Sequence, residues 1–183
     1  RPRDQKSRMA EILKPLRKRI LCAVPGNHEG RSGKDVDDDP LYDILCKIDC
    51  EDVYRENLAF VKIQLKTRDR HRSPTYMLVV THGTGGGILP GATANRNERF
   101  GYAIDGADAI LVGHTHKAYV SQPGKLYIDP QNNQVSIKPF KVIVGTSWLS
   151  YGGYAASKML LPASYSPQKI TLHGDKKLIT VEM

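Results

Sequence analysis

Ile20-Leu21-Cys22-Ala23-Val24-Pro25-Gly26-Asn27-His28-Glu29 is the stretch on which the reading of the fold turns. Five apolar residues without alternation predict a short strand buried on both faces, as in the middle of a sheet. Pro25-Gly26 stops the run, and a polar trio follows at its carboxyl end, where α/β proteins place their sites. The arrangement recurs twice. Thr81-His82-Gly83 closes the apolar run of 75–81, and Gly113-His114-Thr115-His116 follows Ala109-Ile110-Leu111-Val112. Four of the six histidines fall at these strand ends.

Outward from these runs, Met9, Ile12, Leu13, Leu16 and Ile20 recur at helical spacing. They predict an amphipathic helix over 5–19 that Pro15 kinks or ends. Asp39 precedes Pro40 as a helix cap, and Leu41, Ile44, Leu45 and Ile48 supply that helix's buried stripe. Residues 58–66 and 75–81 read as a hairpin joined by the basic tip 66–72, and 95–104 reads as a helix. Further on, 125–129 with 134–139, and 169–172 with 177–182, read as two more hairpins. The expectation is an α/β first part and a largely antiparallel last part within one domain over 1–183.

At 183 residues with 40% apolar side chains, the chain can build a core, which excludes a disordered tail or a disulfide miniprotein. No run reaches the roughly 18 apolar residues of a membrane span, so no membrane partner is expected. Cys22, Cys46 and Cys50 make no complete pairing and no CxxC, which predicts a reducing, cytoplasmic setting; Cys46 and Cys50 read as core thiols. The net charge is +8 and unevenly placed. Residues 1–20 hold eight basic side chains against Asp4 and Glu11, whereas 35–56 hold nine acids against Lys47 and Arg55. Such segments read as solvated faces, or as a track for a polyanion.

The histidine-bearing loops carry the chemistry. In extended backbone His114 and His116 point to one face, about 6.5 to 7 Å apart along the chain. That spacing suits two metal ions about 3.5 to 4 Å apart, with one imidazole reaching each. Asn27 offers an amide oxygen and His82 a further nitrogen, a mixed N/O set that favours Mn²⁺, Fe or Zn²⁺ over Ca²⁺ or Mg²⁺. The glycine-rich His82–Gly87 run lacks the Gly-Lys-Ser/Thr of a P-loop. Asp35, Asp37, Asp38 and Asp39 lack the spacing of a calcium loop.

In this order, and each after an apolar strand, GNHE, THG and GHTH resemble the calcineurin-like metallophosphoesterase family over residues 26–116. The resemblance implies an α/β (α+β) fold, a β-sandwich of two mixed sheets flanked by helices. It implies a phosphoesterase that hydrolyses phosphomonoesters or phosphodiesters at a dinuclear centre. Asn27, His82 and His114 would hold one ion and His116 would help hold the other. His28 would lie near the phosphate as a general acid. Glu29 would either orient His28 or cap the local backbone. Arg96 and Arg99, one turn apart, could meet a substrate phosphate. The partner would be a phosphate ester, with a nucleotide or nucleic acid among the candidates.

The family pattern also opens with an aspartate and histidine two apart and then a Gly-Asp with the bridging aspartate. Neither lies before Gly26, where the only aspartate is Asp4. The expectation is therefore a fragment lacking the N-terminal strands. It would hold zero or one ion where the intact protein holds two, would have impaired activity, and would have exposed strand edges that favour a homodimer. The alternative is a non-catalytic nucleic-acid-binding or scaffold module on the same fold.

Overall fold

A computed structural model of the chain describes residues 1–29, 38–66, 73–85, 90–148, 150–159, 161–162 and 165–183. The fold is mixed α/β, with several sheets and a few helices. Two compact units emerge: Arg1–Val61 with Val80–His82, and Lys62–Val79 with Gly83–Met183. No described helix is long and apolar enough to cross a membrane.

In the first unit, α1 (Pro2–Leu13) runs into a 3-10 turn over Lys14–Arg19. Pro15 sits at the start of that turn, where its missing N–H and its ring end the α-helix. α2 (Pro40–Cys46) starts as its sequence signals. Asp39 Oδ1 accepts the amide N–H of Leu41 and of Tyr42, at 3.0 Å each. Ala10, Leu45, Ile48 and Cys50 form the buried core of this unit, with Leu13, Ile20, Leu41, Ile44 and Val53 packed around them.

Two expectations fail here. Met9, Ile12 and Leu16 are exposed, because α1 meets α2 along the narrower face of Ala10 and Leu13. The apolar arc of α1 is wider than one neighbouring helix can cover. Ile20–Val24 is not a buried strand. Leu21 is 61% exposed, and the segment makes a single parallel bridge, Ala23 to Tyr54. Hydrogen bonds from Ala23 N to Val53 O and from Arg55 N to Ala23 O, 3.0 and 2.9 Å, are that bridge. Apolar content made a strand plausible, but no described partner strand runs beside it.

Part of the segregated charge is paired across the two segments. Lys6 Nζ lies 2.9 Å from Asp38 Oδ1 and 2.6 Å from Asp43 Oδ2, and Arg17 pairs with Asp49 at 2.9 Å. Most of the basic stretch stays exposed, as a solvated face does, and these few groups pair with the acidic one. Cys50 is buried as expected for a core thiol, whereas Cys46 is exposed, on the side of α2 away from the core.

The described strands are β1 (Leu58–Gln64), β2 (Thr75–Thr81), β3 (Ala109–Val112), β4 (Tyr119–Ser121), β5 (Gly124–Asp129), β6 (Gln134–Pro139), β7 (Lys141–Val144), β8 (Lys169–Leu172) and β9 (Ile179–Glu182). A five-stranded sheet has the order β1-β2-β3-β7-β4, and β5-β6 and β8-β9 form separate two-stranded sheets. β7 runs parallel to β3, in register from Ala109↔Lys141 to Val112↔Val144. β4 runs antiparallel to β7. The last part of the chain therefore also contributes a parallel strand. The basic tip at 67–72 lies outside the described residues.

In the second unit, α3 (Pro90–Tyr102) begins five residues before the predicted start. Gly101 lets it approach the sheet, since a Cβ there would run into Phe140 and Ile110. Ile110, Val112, Phe140 and Val142–Val144 are buried. α4 is the short helix Tyr154–Ser157. Tyr76 is fully buried, and its hydroxyl holds the turn of the last hairpin. It lies 2.6 Å from His173 O and 3.0 Å from both Lys176 O and Leu178 O, and it accepts Leu178 N–H at 3.0 Å.

Candidate metal centre

In the first unit, Asn27 Oδ1 and His82 Nε2 lie 2.9 Å apart, though 55 residues separate them in sequence. Gly26 makes the approach possible. A Cβ on Gly26 would stand 2.7 Å from Glu29 Oε2 and 3.0 Å from His82 Cε1. Glu29 Oε2 accepts the Gly26 N–H at 2.9 Å, so this carboxylate oxygen braces the backbone of the turn. His28 is exposed beside them.

The Asn27–His82 contact is a hydrogen bond, and its length is also one that two ligands of a single ion can have. With ligand bonds of about 2.1 Å, two donors at right angles around a metal stand about 3 Å apart. An amide oxygen and an imidazole nitrogen are donors that a borderline cation accepts. Among the described residues, no group of three or more His, Cys, Asp or Glu side chains is arranged to hold a metal ion.

In the second unit, Gly113–His116 follows the carboxyl end of β3, but not in extended form. His114 has φ 64° and His116 φ 58°, both left-handed, and Thr115 N–H donates to Gly113 O at 2.8 Å across a tight turn. The same-face argument for an extended HxH therefore does not apply. Each such residue costs about 1 to 3 kcal/mol, and strain of this kind gathers at functional sites. Gly83 passes close by. A Cβ there would stand 2.5 Å from Val112 Cγ1 and 4.0 Å from His114 Cβ, and its φ of +80° also disfavours any other residue.

Arg96 and Arg99 are exposed on α3 and, with Ala92, Asn95 and Phe100, line an open hollow of about 510 Å³. Arg96 Nη1 donates to Thr84 O at 3.0 Å, which holds the guanidinium over the turn after β2.

The sequence reading did not single out the end of β7. Gly145 N–H donates to Val112 O at 2.8 Å, which sets the end of β7 beside the start of the His114 loop, and Ser147 is buried. The signal was present: Val142-Ile143-Val144 closed by Gly145 repeats the pattern of β3 and Gly113. No family model, no curated protein and no solved structure matches the chain.

Proposed function

We propose that the protein is a metal-dependent phosphoesterase of calcineurin-like type, acting on phosphomonoesters or phosphodiesters through two divalent ions in the intact protein. On this reading the described strands belong to a β-sandwich of two mixed sheets flanked by helices. The observation that carries the proposal is the 2.9 Å approach of Asn27 and His82, two residues picked out by separate motifs. The left-handed His114 and His116 at the end of β3 add to it.

Asn27, His82 and His114 would hold one ion, and His116 would help hold the second. Ions of the Mn²⁺, Fe or Zn²⁺ type supply Lewis acidity toward the phosphoryl group and activate water. The chain's own side chains do the rest. Glu29 fixes the Gly26 turn, and so the position of Asn27. Exposed His28 can give a proton to the departing alkoxide, which otherwise leaves poorly. Arg96, held at Thr84 O, and Arg99 offer N–H donors to phosphate oxygens.

The experiment is Mn²⁺-dependent hydrolysis of an aryl phosphodiester by the intact protein and its His114→Ala variant. Turnover that falls at least a hundredfold in the variant supports the reading. Turnover that is indifferent to His114, or to Mn²⁺, contradicts it.

A further inference from the structure

The β5–β6 hairpin is amphipathic, and its apolar face is left in water. The register pairs Leu126 with Ile137 and Ile128 with Val135, so all four share one face. They are 77%, 70%, 70% and 66% exposed for Leu126, Ile137, Ile128 and Val135. The opposite face carries Lys125, Tyr127 and Asp129 across from Lys138, Ser136 and Gln134. On the polar face Lys125 ties the hairpin to the rest of its unit. Lys125 Nζ bonds to Ile104 O and sits 5.2 Å from the Phe140 ring centroid, and Lys138 Nζ lies over Tyr127. Lys125 and Asp129 are half-buried while their aliphatic neighbours project outward.

A two-stranded hairpin is marginal in water unless its apolar face is covered. Here nothing described covers it. The four side chains present on the order of 500 Å² of continuous aliphatic surface, at the upper end of what monomers leave exposed. No charged group belongs to the patch, because Lys125, Asp129 and Lys138 all lie on the other face. An occupant must therefore be an aliphatic surface of similar width without a polar group to desolvate.

We infer that the occupant is a second copy of this chain, packed face to face through the same patch about a two-fold axis. Two such patches bury about 1,000 Å² in total, the floor for a specific interface. Stacked sheets at about 10 Å let Leu126 and Ile128 interdigitate with Ile137 and Val135 of the other copy. The lysines stay on the outer faces, so two chains of charge +8 meet where neither carries charge.

Sedimentation velocity on the full chain over the micromolar range tests this. The expected result is a discrete species of twice the 20.4 kDa chain mass that grows with concentration. Ile128→Lys/Ile137→Lys places two charges on the patch at positions open to solvent in the single chain, so the fold is expected to persist with unchanged circular dichroism. It shifts dimerisation at least tenfold toward monomer. Met159→Lys, at an 81% exposed site elsewhere, leaves dimerisation unchanged. A wild-type chain that stays monomeric throughout, a polydisperse aggregate, or a dimer indifferent to the double substitution overturns the inference.

Discussion

The Asn27 amide oxygen stands 2.9 Å from the His82 imidazole Nε2, and a turn with no Cβ at Gly26 lets them meet. Gly26→Ala tests whether that turn matters. The added methyl would be 2.7 Å from Glu29 Oε2 and 3.0 Å from His82 Cε1, so either Glu29 or the imidazole must move. The expected outcome is a Mn²⁺ affinity reduced about tenfold, with a modest loss of melting temperature. Isothermal titration beside thermal unfolding separates the two effects. An unchanged affinity would show that this approach is irrelevant to metal binding.

Tyr76 anchors the C-terminal hairpin with one hydroxyl. Tyr76→Phe keeps the buried ring but leaves Leu178 N–H without its acceptor and the His173 carbonyl without this donor. An unsatisfied buried group costs about 1 to 3 kcal/mol. Hydrogen exchange should speed up across 169–182 and hardly change in α1. Uniform acceleration through the chain would contradict a local role.

Asp39 does two tasks, capping α2 with one oxygen and accepting the Tyr54 hydroxyl with the other. Burial, followed by the bond to Asp39, pushes the Tyr54 phenol up to about 12. A raised phenol contributes stability that is full below its ordinary value of 10.0 and is lost as the pH rises toward 12. Alkaline unfolding of the first unit should therefore set in between those values and soften in Tyr54→Phe. Asp39→Ala should cost about 1 kcal/mol for the cap alone. Its cost near neutral pH is measurable by urea unfolding.

Lys6 bridges α1 to Asp43 and Asp38. The Lys6 hydrogen bond holds Asp43 below the usual carboxylate range, and the same bonds, that to Asp43 first, raise Lys6. The carboxylate's share of stability is present above about 3.8 and is lost as pH falls through its depressed value. The lysine's share is present below 10.5 and is lost above it. Lys6→Met should flatten both limbs of the stability profile and leave the plateau nearly level, because exposed pairs contribute little. An acid limb identical in Lys6→Met would exclude the pairing.

Local signals were legible in the sequence. Asp39-Pro40 announced α2 because a cap and its proline are adjacent in the chain. The hairpins of β5–β6 and β8–β9 were marked by turn residues between short strands. What depends on distant partners was not. Ile20–Val24 has the composition of a buried strand but finds only the Ala23–Tyr54 bridge. β7 carries the same pattern as β3, yet its parallel pairing depends on a crossover that periodicity does not encode. His82 and His114 were found because each follows an apolar run closed by a threonine or glycine. The left-handed backbone at 114 and 116 depends on the closure of one tight turn, which residue type alone does not specify.

Paramagnetic broadening of the histidine imidazole resonances by substoichiometric Mn²⁺ tests the central claim most directly, since it registers weak as well as strong binding. His173, bonded to Thr180 on the last hairpin at 3.1 Å, is the internal control. The account predicts that His82, His114 and His116 broaden first while His173 stays sharp, and that Asn27→Ala weakens the effect. Equal broadening of all the histidines, or His173 broadening ahead of His82, would contradict a metal centre at the strand ends.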